Sequence, residues 1–156
     1  VATALGGCSA GEPSERDLGA PLAPVETCVP SPKGKPVYFG NNSIESRSPV
    51  TITGVELVGK QGDVQMEPFV VPVAAWVRGP LASFNPAREP DWSWDQARPA
   101  AGSVVDAENS PMDVVVELST TSRGGGEAVR INYELDGSSF YAILHNSMEL
   151  VAGRRC

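Results

Sequence analysis

The run from Ala128 to His145 constrains the fold more than any other stretch of the chain. Val129, Ile131, Tyr133 and Leu135 alternate with Arg130, Asn132 and Glu134, the period of a strand with one face in a core. Asp136-Gly137 follows, a pair suited to the positive φ angles of a tight hairpin turn. Ser138–His145 then returns as the partner strand, with Phe140, Ala142 and Leu144 on one face and Tyr141 and Ile143 on the other.

The same periodicity recurs elsewhere. Val50–Val58 alternates β-branched, apolar and polar residues, with Gly54 placed to form a bulge. Phe69–Val77 is apolar on both faces, and Pro72 makes that strand an edge or breaks it. Met112–Thr121 reads as a central strand with Val114, Val116 and Leu118 toward the core, Asp113 and Glu117 toward water, and Val115 the one apolar residue on the outer face. Met148–Ala152 is the last strand. Gly124-Gly125-Gly126 is expected to be a loop, and without a helix after it no phosphate cradle is implied. Between Gly79 and Ser103 lie Pro80, Pro86, Pro90 and Pro99 with no clear period, a length that implies a helical turn or a functional insertion. Short strands, turn signals and no long amphipathic helix predict an all-β domain over residues 28–156. The expected architecture is an antiparallel two-sheet sandwich, immunoglobulin-like in arrangement although the Cys–Trp–Cys core pattern is missing.

The three cysteines divide two to one. Leu5-Gly6-Gly7-Cys8 has the large residue, two small residues and cysteine of a bacterial lipoprotein signal, with Val1–Ala4 as the tail of its apolar region. Cys8 is therefore the expected lipidation site, anchoring the chain to the cell membrane from the extracytoplasmic side. The segment after it carries Pro13, Pro21, Pro24, Gly11 and Gly19, so residues 1–27 read as a signal remnant and flexible linker with a reach of roughly 25 Å. Cys28 and Cys156 remain, and in an exported protein they are expected to pair.

The stretch Pro49–Leu57, the later Arg98-Pro99-Ala100-Ala101-Gly102 and the final Cys156 resemble uncharacterised small exported proteins and lipoproteins of actinobacteria. The resemblance implies a surface-exposed sandwich and transfers no functional residues.

A net charge of −7 argues against nucleic acid as a partner, because phosphate binding needs clustered Lys and Arg. His145 is the sole histidine. With Met148, Met66 and Met112 it offers a conceivable Cu(I) ligand set, against the plainer reading of a loop histidine and core methionines. A Ser–His–Asp triad lacks a nucleophile elbow. Asp91-Trp92-Ser93-Trp94-Asp95 places two indoles and two carboxylates together, as sugar-binding surfaces do. The competing reading is that Trp92 or Trp94 caps the end of the sandwich. Asn41-Asn42-Ser43 is a glycosylation triplet with no role assigned. These residues predict a non-catalytic, membrane-tethered module for an unknown protein or envelope ligand, with no cofactor and no metal. The alternative is an envelope carbohydrate-active enzyme or a copper-carrying lipoprotein. Trp92, Trp94, Asp91 and Asp95 are the candidate contact residues.

Overall fold

The computed structural model describes residues 11–19, 24–73, 81–153 and 155–156. The lipoprotein-like segment around Cys8 lies outside these residues, as does Trp76. In chain order the strands are β1 (Ser14–Glu15), β2 (Val25–Ser31), β3 (Val37–Ile44), β4 (Val50–Val58), β5 (Gln61–Gly62), β6 (Gln65–Pro72) and β7 (Leu81–Ser83). They continue with β8 (Arg98–Pro99), β9 (Val104–Val105), β10 (Met112–Ser119), β11 (Arg123–Gly126), β12 (Ala128–Leu135), β13 (Ser138–Leu144) and β14 (Asn146–Ala152). Three short 3₁₀ turns, at Pro32–Gly34, Pro86–Arg88 and Trp94–Gln96, are the helical content of the described residues.

The hydrogen-bonded ladders form three sheets, ordered β1-β13-β12-β4-β9, β7-β3-β10-β6-β8 and β2-β14-β11-β5. The first and third are halves of one bent layer. β12 follows β11 after Glu127, β14 follows β13 after His145, and β5 follows β4 closely, so the same strands run through both halves in the same order. The second sheet is the opposing layer. Side chains from both layers meet in one core that includes Phe39, Ile52, Val114, Leu118, Ile131, Tyr133 and Leu150.

Two details depart from a purely antiparallel pair of sheets. β1 pairs with β13 in parallel and β2 pairs with β14 in parallel, so both outer strands of the bent layer on that side run against expectation. The cause lies in residues expected to be linker. Leu18, 8% exposed, is part of the core, and the Tyr133 hydroxyl donates to the Arg16 carbonyl at 2.8 Å. Leu18, the Arg16 carbonyl and the β1 ladder dock residues 14–18 beside β13, despite a composition typical of a spacer. Residues 25–27 likewise belong to β2.

The expected hairpin is present: β12 and β13 pair antiparallel around Asp136, φ 51°, and Gly137, φ 78°. The register between β12 and β4 shifts where Asn132 faces Gly54 and Tyr133 faces Ile52, a bulge at the predicted place. β6 ends at Pro72. Gly124-Gly125-Gly126, expected to be a loop, instead forms β11 between β14 and β5. A strand without side chains has no alternation to read. Cys28 and Cys156 sit at disulfide distance, Cα–Cα 6.1 Å, across a sequence separation of 128.

Candidate functional site

The segment expected to carry a contact surface packs its indoles against the sheet and leaves its two carboxylates exposed. Val73 and Trp92 form an isolated bridge, and a 3₁₀ turn starts at Trp94. Both indoles therefore turn onto the outer face of the β3–β10–β6 layer. Trp92 is 4% exposed and packs with Val71 and Val115. Trp94 is half-buried, edge-on to Tyr38 at 5.2 Å and to Phe69 at 5.4 Å between ring centroids. Trp92 and Trp94 lie 6.2 Å apart between ring centroids. Asp91 and Asp95 are exposed beside them.

Sequence reasoning placed Asp113 in water. It is fully buried, and the Trp92 Nε1–H donates to its Oδ2 at 2.7 Å. A carboxylate removed from water is costly unless it is hydrogen-bonded, and the indole supplies one such bond. Gly40 makes room for it: a Cβ there would stand 2.5 Å from Trp92 Cζ2 and 2.7 Å from Asp113 Oδ2. Val115, expected to be the lone apolar residue of an outer face, is the floor of this second cluster.

The remaining sequence candidates do not converge. His145 is exposed, while Met112 and Met148 are core residues and Met66 packs against the core. Among the described residues no group of three His, Cys, Asp or Glu is placed to hold a metal ion. In the Asn41-Asn42-Ser43 triplet, Ser43 is buried.

A site that the sequence did not announce lies on the outer face of the β2-β14-β11-β5 half. A groove of about 610 Å³ is bordered by Glu26–Cys28, Gln61, Gly62, Arg123–Glu127 and Ser147–Glu149. Its position follows from the register. Gly124 and Gly126 stand opposite Leu150 and Met148, and their missing side chains would point at Val64 and Leu57 in the interior. Gly125 stands opposite Glu149 on the outer face, where a side chain would be expected and none exists. A Cβ at Gly125 would fall 1.9 Å from the Met148 carbonyl oxygen, so close approach of the two backbones requires glycine there. The same requirement leaves the sheet bare and opens the groove.

Arg123 spans one side to ion-pair with Glu149, which raises the guanidinium pKa and lowers that of the carboxylate. Glu26 and Glu127 are exposed, with no ion pair among the described residues. Thr27 and Ser147 add hydroxyls, and Cys28 carries the disulfide at the rim. The surface is polar, concave and rich in backbone. No helix among the described residues is long and apolar enough to cross a membrane. The chain matches no protein-family model, no curated protein and no solved structure.

Proposed function

We propose that this chain is a membrane-tethered extracytoplasmic interaction module, non-catalytic, that binds a protein or envelope ligand. The observation that carries the reading is the polar groove of about 610 Å³ on the outer face of the β2-β14-β11-β5 half. Ser14 pairs with Phe140 in parallel, so the chain before β1 leads toward the Asp136-Gly137 turn. Cys8 precedes Ser14 by six residues, a span of at most about 20 Å, which brings that turn near a bilayer holding a lipid on Cys8. The groove beside Met148 is eight residues further along the β13–β14 path, roughly 25 Å in extended chain.

A cysteine pair at disulfide distance fits an oxidising compartment outside the cytoplasm. The two opposed layers support an immunoglobulin-like arrangement in outline. The geometry favours the alternatives less. A copper carrier would draw on thioethers that pack in the core, and a carbohydrate-active site would draw on indoles that serve as a cap.

Two variants test the reading. Expressed behind a complete lipoprotein leader, the protein is expected in the membrane fraction, and Cys8→Ser is expected in the soluble one. Membrane retention of Cys8→Ser would remove the tether. Ser147→Trp, which fills the groove from a half-buried position, is expected to abolish capture of envelope components at unchanged thermal stability. Unaltered capture would remove the groove as the site.

A further inference from the structure

We infer that the groove on the β2-β14-β11-β5 half docks a basic segment of a partner protein, holding one arginine side chain between Glu26 and Glu127. The inference deepens the proposed function and rests on the groove being the interaction site. Strand register sets the two carboxylates on opposite banks. Glu26 pairs with Ser147, and Glu127 follows Gly126, whose partner on β14 is Met148. Ser147 therefore stands between them, and two strand spacings put their backbones about 10 Å apart. Both glutamates line the groove and are exposed. Gly59, at φ 63°, makes room for the second: a Cβ there would stand 2.7 Å from Glu127 Cδ.

The charge of the lining is unbalanced. It holds three carboxylates, Glu26, Glu127 and Glu149, against one cation, Arg123. Arg123 is taken up by Glu149. Glu26 and Glu127 make no ion pair among the described residues. Two carboxylates across a hollow repel each other, and a cation entering between them replaces that repulsion with two attractions. The groove is thus complementary to positive charge beside Ser147.

A guanidinium fits this place better than an ammonium. Its five N–H donors lie in one plane and can meet carboxylates on two sides at once. The hydroxyls of Thr27 and Ser147 and the Gln61 side chain add neutral acceptors along the same hollow. Gly125, opposite Glu149 on the outer face, presents no side chain, so a flat group can approach the sheet. Each exposed ion pair contributes little by itself. The arginine is therefore carried by a chain that makes further contacts along a groove of about 610 Å³, which a lone cation would not fill.

The test uses the full chain as Cys8→Ser, followed by amide NMR and titrated with acetyl-Gly-Arg-Gly-Arg-Gly-amide and with its lysine and citrulline counterparts. The arginine peptide is expected to shift the amides of Gly124–Glu127 and Ser147, with an affinity that falls as salt rises. The lysine peptide is expected to bind more weakly and the uncharged citrulline peptide not at all. Glu26→Gln and Glu127→Gln, isosteric changes at exposed positions, are each expected to weaken binding about two- to fivefold. Asp91→Asn, exposed on the opposing layer, is expected to bind as the parent does. The inference is overturned if those amides do not move, if Asp91→Asn weakens binding as much, or if the citrulline peptide binds equally. Equal binding of the lysine peptide overturns the choice of a guanidinium, and binding of spermidine in place of the arginine peptide overturns the choice of a protein segment. Failure of the underlying reading looks different, because Ser147→Trp would then capture envelope components undiminished. Capture lost in Ser147→Trp but kept in Glu26→Gln/Glu127→Gln would leave the groove as the site and remove the arginine.

Discussion

At Gly40 a single hydrogen atom decides whether a second cluster can form. Its missing side chain lets the Trp92 indole and the Asp113 carboxylate meet over the β3 backbone. Gly40→Ala is expected to destabilise the fold by about 1–3 kcal/mol through overpacking, read as a lower urea midpoint with altered tryptophan emission. Trp92→Phe keeps most of the ring volume but removes the N–H that Asp113 accepts, also at a cost of about 1–3 kcal/mol. Because both changes act on one contact, the double variant should cost less than their sum. A second residue-scale consequence concerns Tyr38. Burial, then a hydrogen bond to Glu117 and the charges of Glu117 and Glu67, push its phenol up to about 12 from 10.0. The folded state thus holds this proton more tightly than the unfolded chain. The associated stability is complete below pH 10 and declines as pH rises from there through about 12. Phenolate absorbance should show Tyr38 titrating late, together with Tyr133, whose phenol burial also raises, and Glu117→Gln should bring Tyr38 earlier; coincident titration of all tyrosines would contradict the assignment.

Among the elements, those with regular alternation were legible and those without it were not. β12, β13 and their turn follow directly from Val129 to Leu144, since one face is buried and the other is wet. β10 was placed correctly as a strand, but its outer face was misjudged. Alternation shows which residues share a side, whereas the segment carrying Trp92 and Trp94 decides what covers that side. β11 was missed because three glycines carry no pattern, and the groove was missed with it. β1 was missed for the opposite reason, a spacer-like composition hiding one anchoring leucine. Leu18 gives that element a direct test. Leu18→Ala is expected to cost about 2 kcal/mol, toward the low end for buried leucines because its surroundings are a strand edge. It should also raise amide exchange at Arg16, whose N–H donates to the Tyr141 carbonyl at 2.8 Å. Exchange at Arg16 as fast as at Gly11 and Glu12, already in the wild type, would mean that β1 is not docked in solution.

Across the whole molecule, the bent layer has an outer strand, β2, whose neighbour in the ladder is β14 alone. Val25 donates to the His145 carbonyl and Ser31 accepts from Gly153, so alternate residues from Val25 to Ser31 turn their backbone groups toward β14. Those of Glu26, Cys28 and Pro30 face away. Proline contributes no donor there, which makes the edge a poor template for another strand. The link from Cys28 to Cys156 holds Cys156 beside the middle of β2. Its energetic role belongs to the unfolded chain as much as to the edge. Closing a loop across 128 residues restricts the denatured ensemble by about 4–5 kcal/mol in the chain-entropy model, an upper figure where that ensemble retains structure. Cys28→Ser/Cys156→Ser should therefore lower the urea midpoint substantially. The native ladder between β2 and β14 should persist, because its hydrogen bonds do not depend on the cross-link. Amide protection of Thr27 and Val29, compared between the oxidised protein and the double variant under native conditions, separates these effects. Retained protection with a lower midpoint identifies the disulfide as a restraint on the unfolded chain, whereas loss of protection would make it the clamp that holds β2 in place.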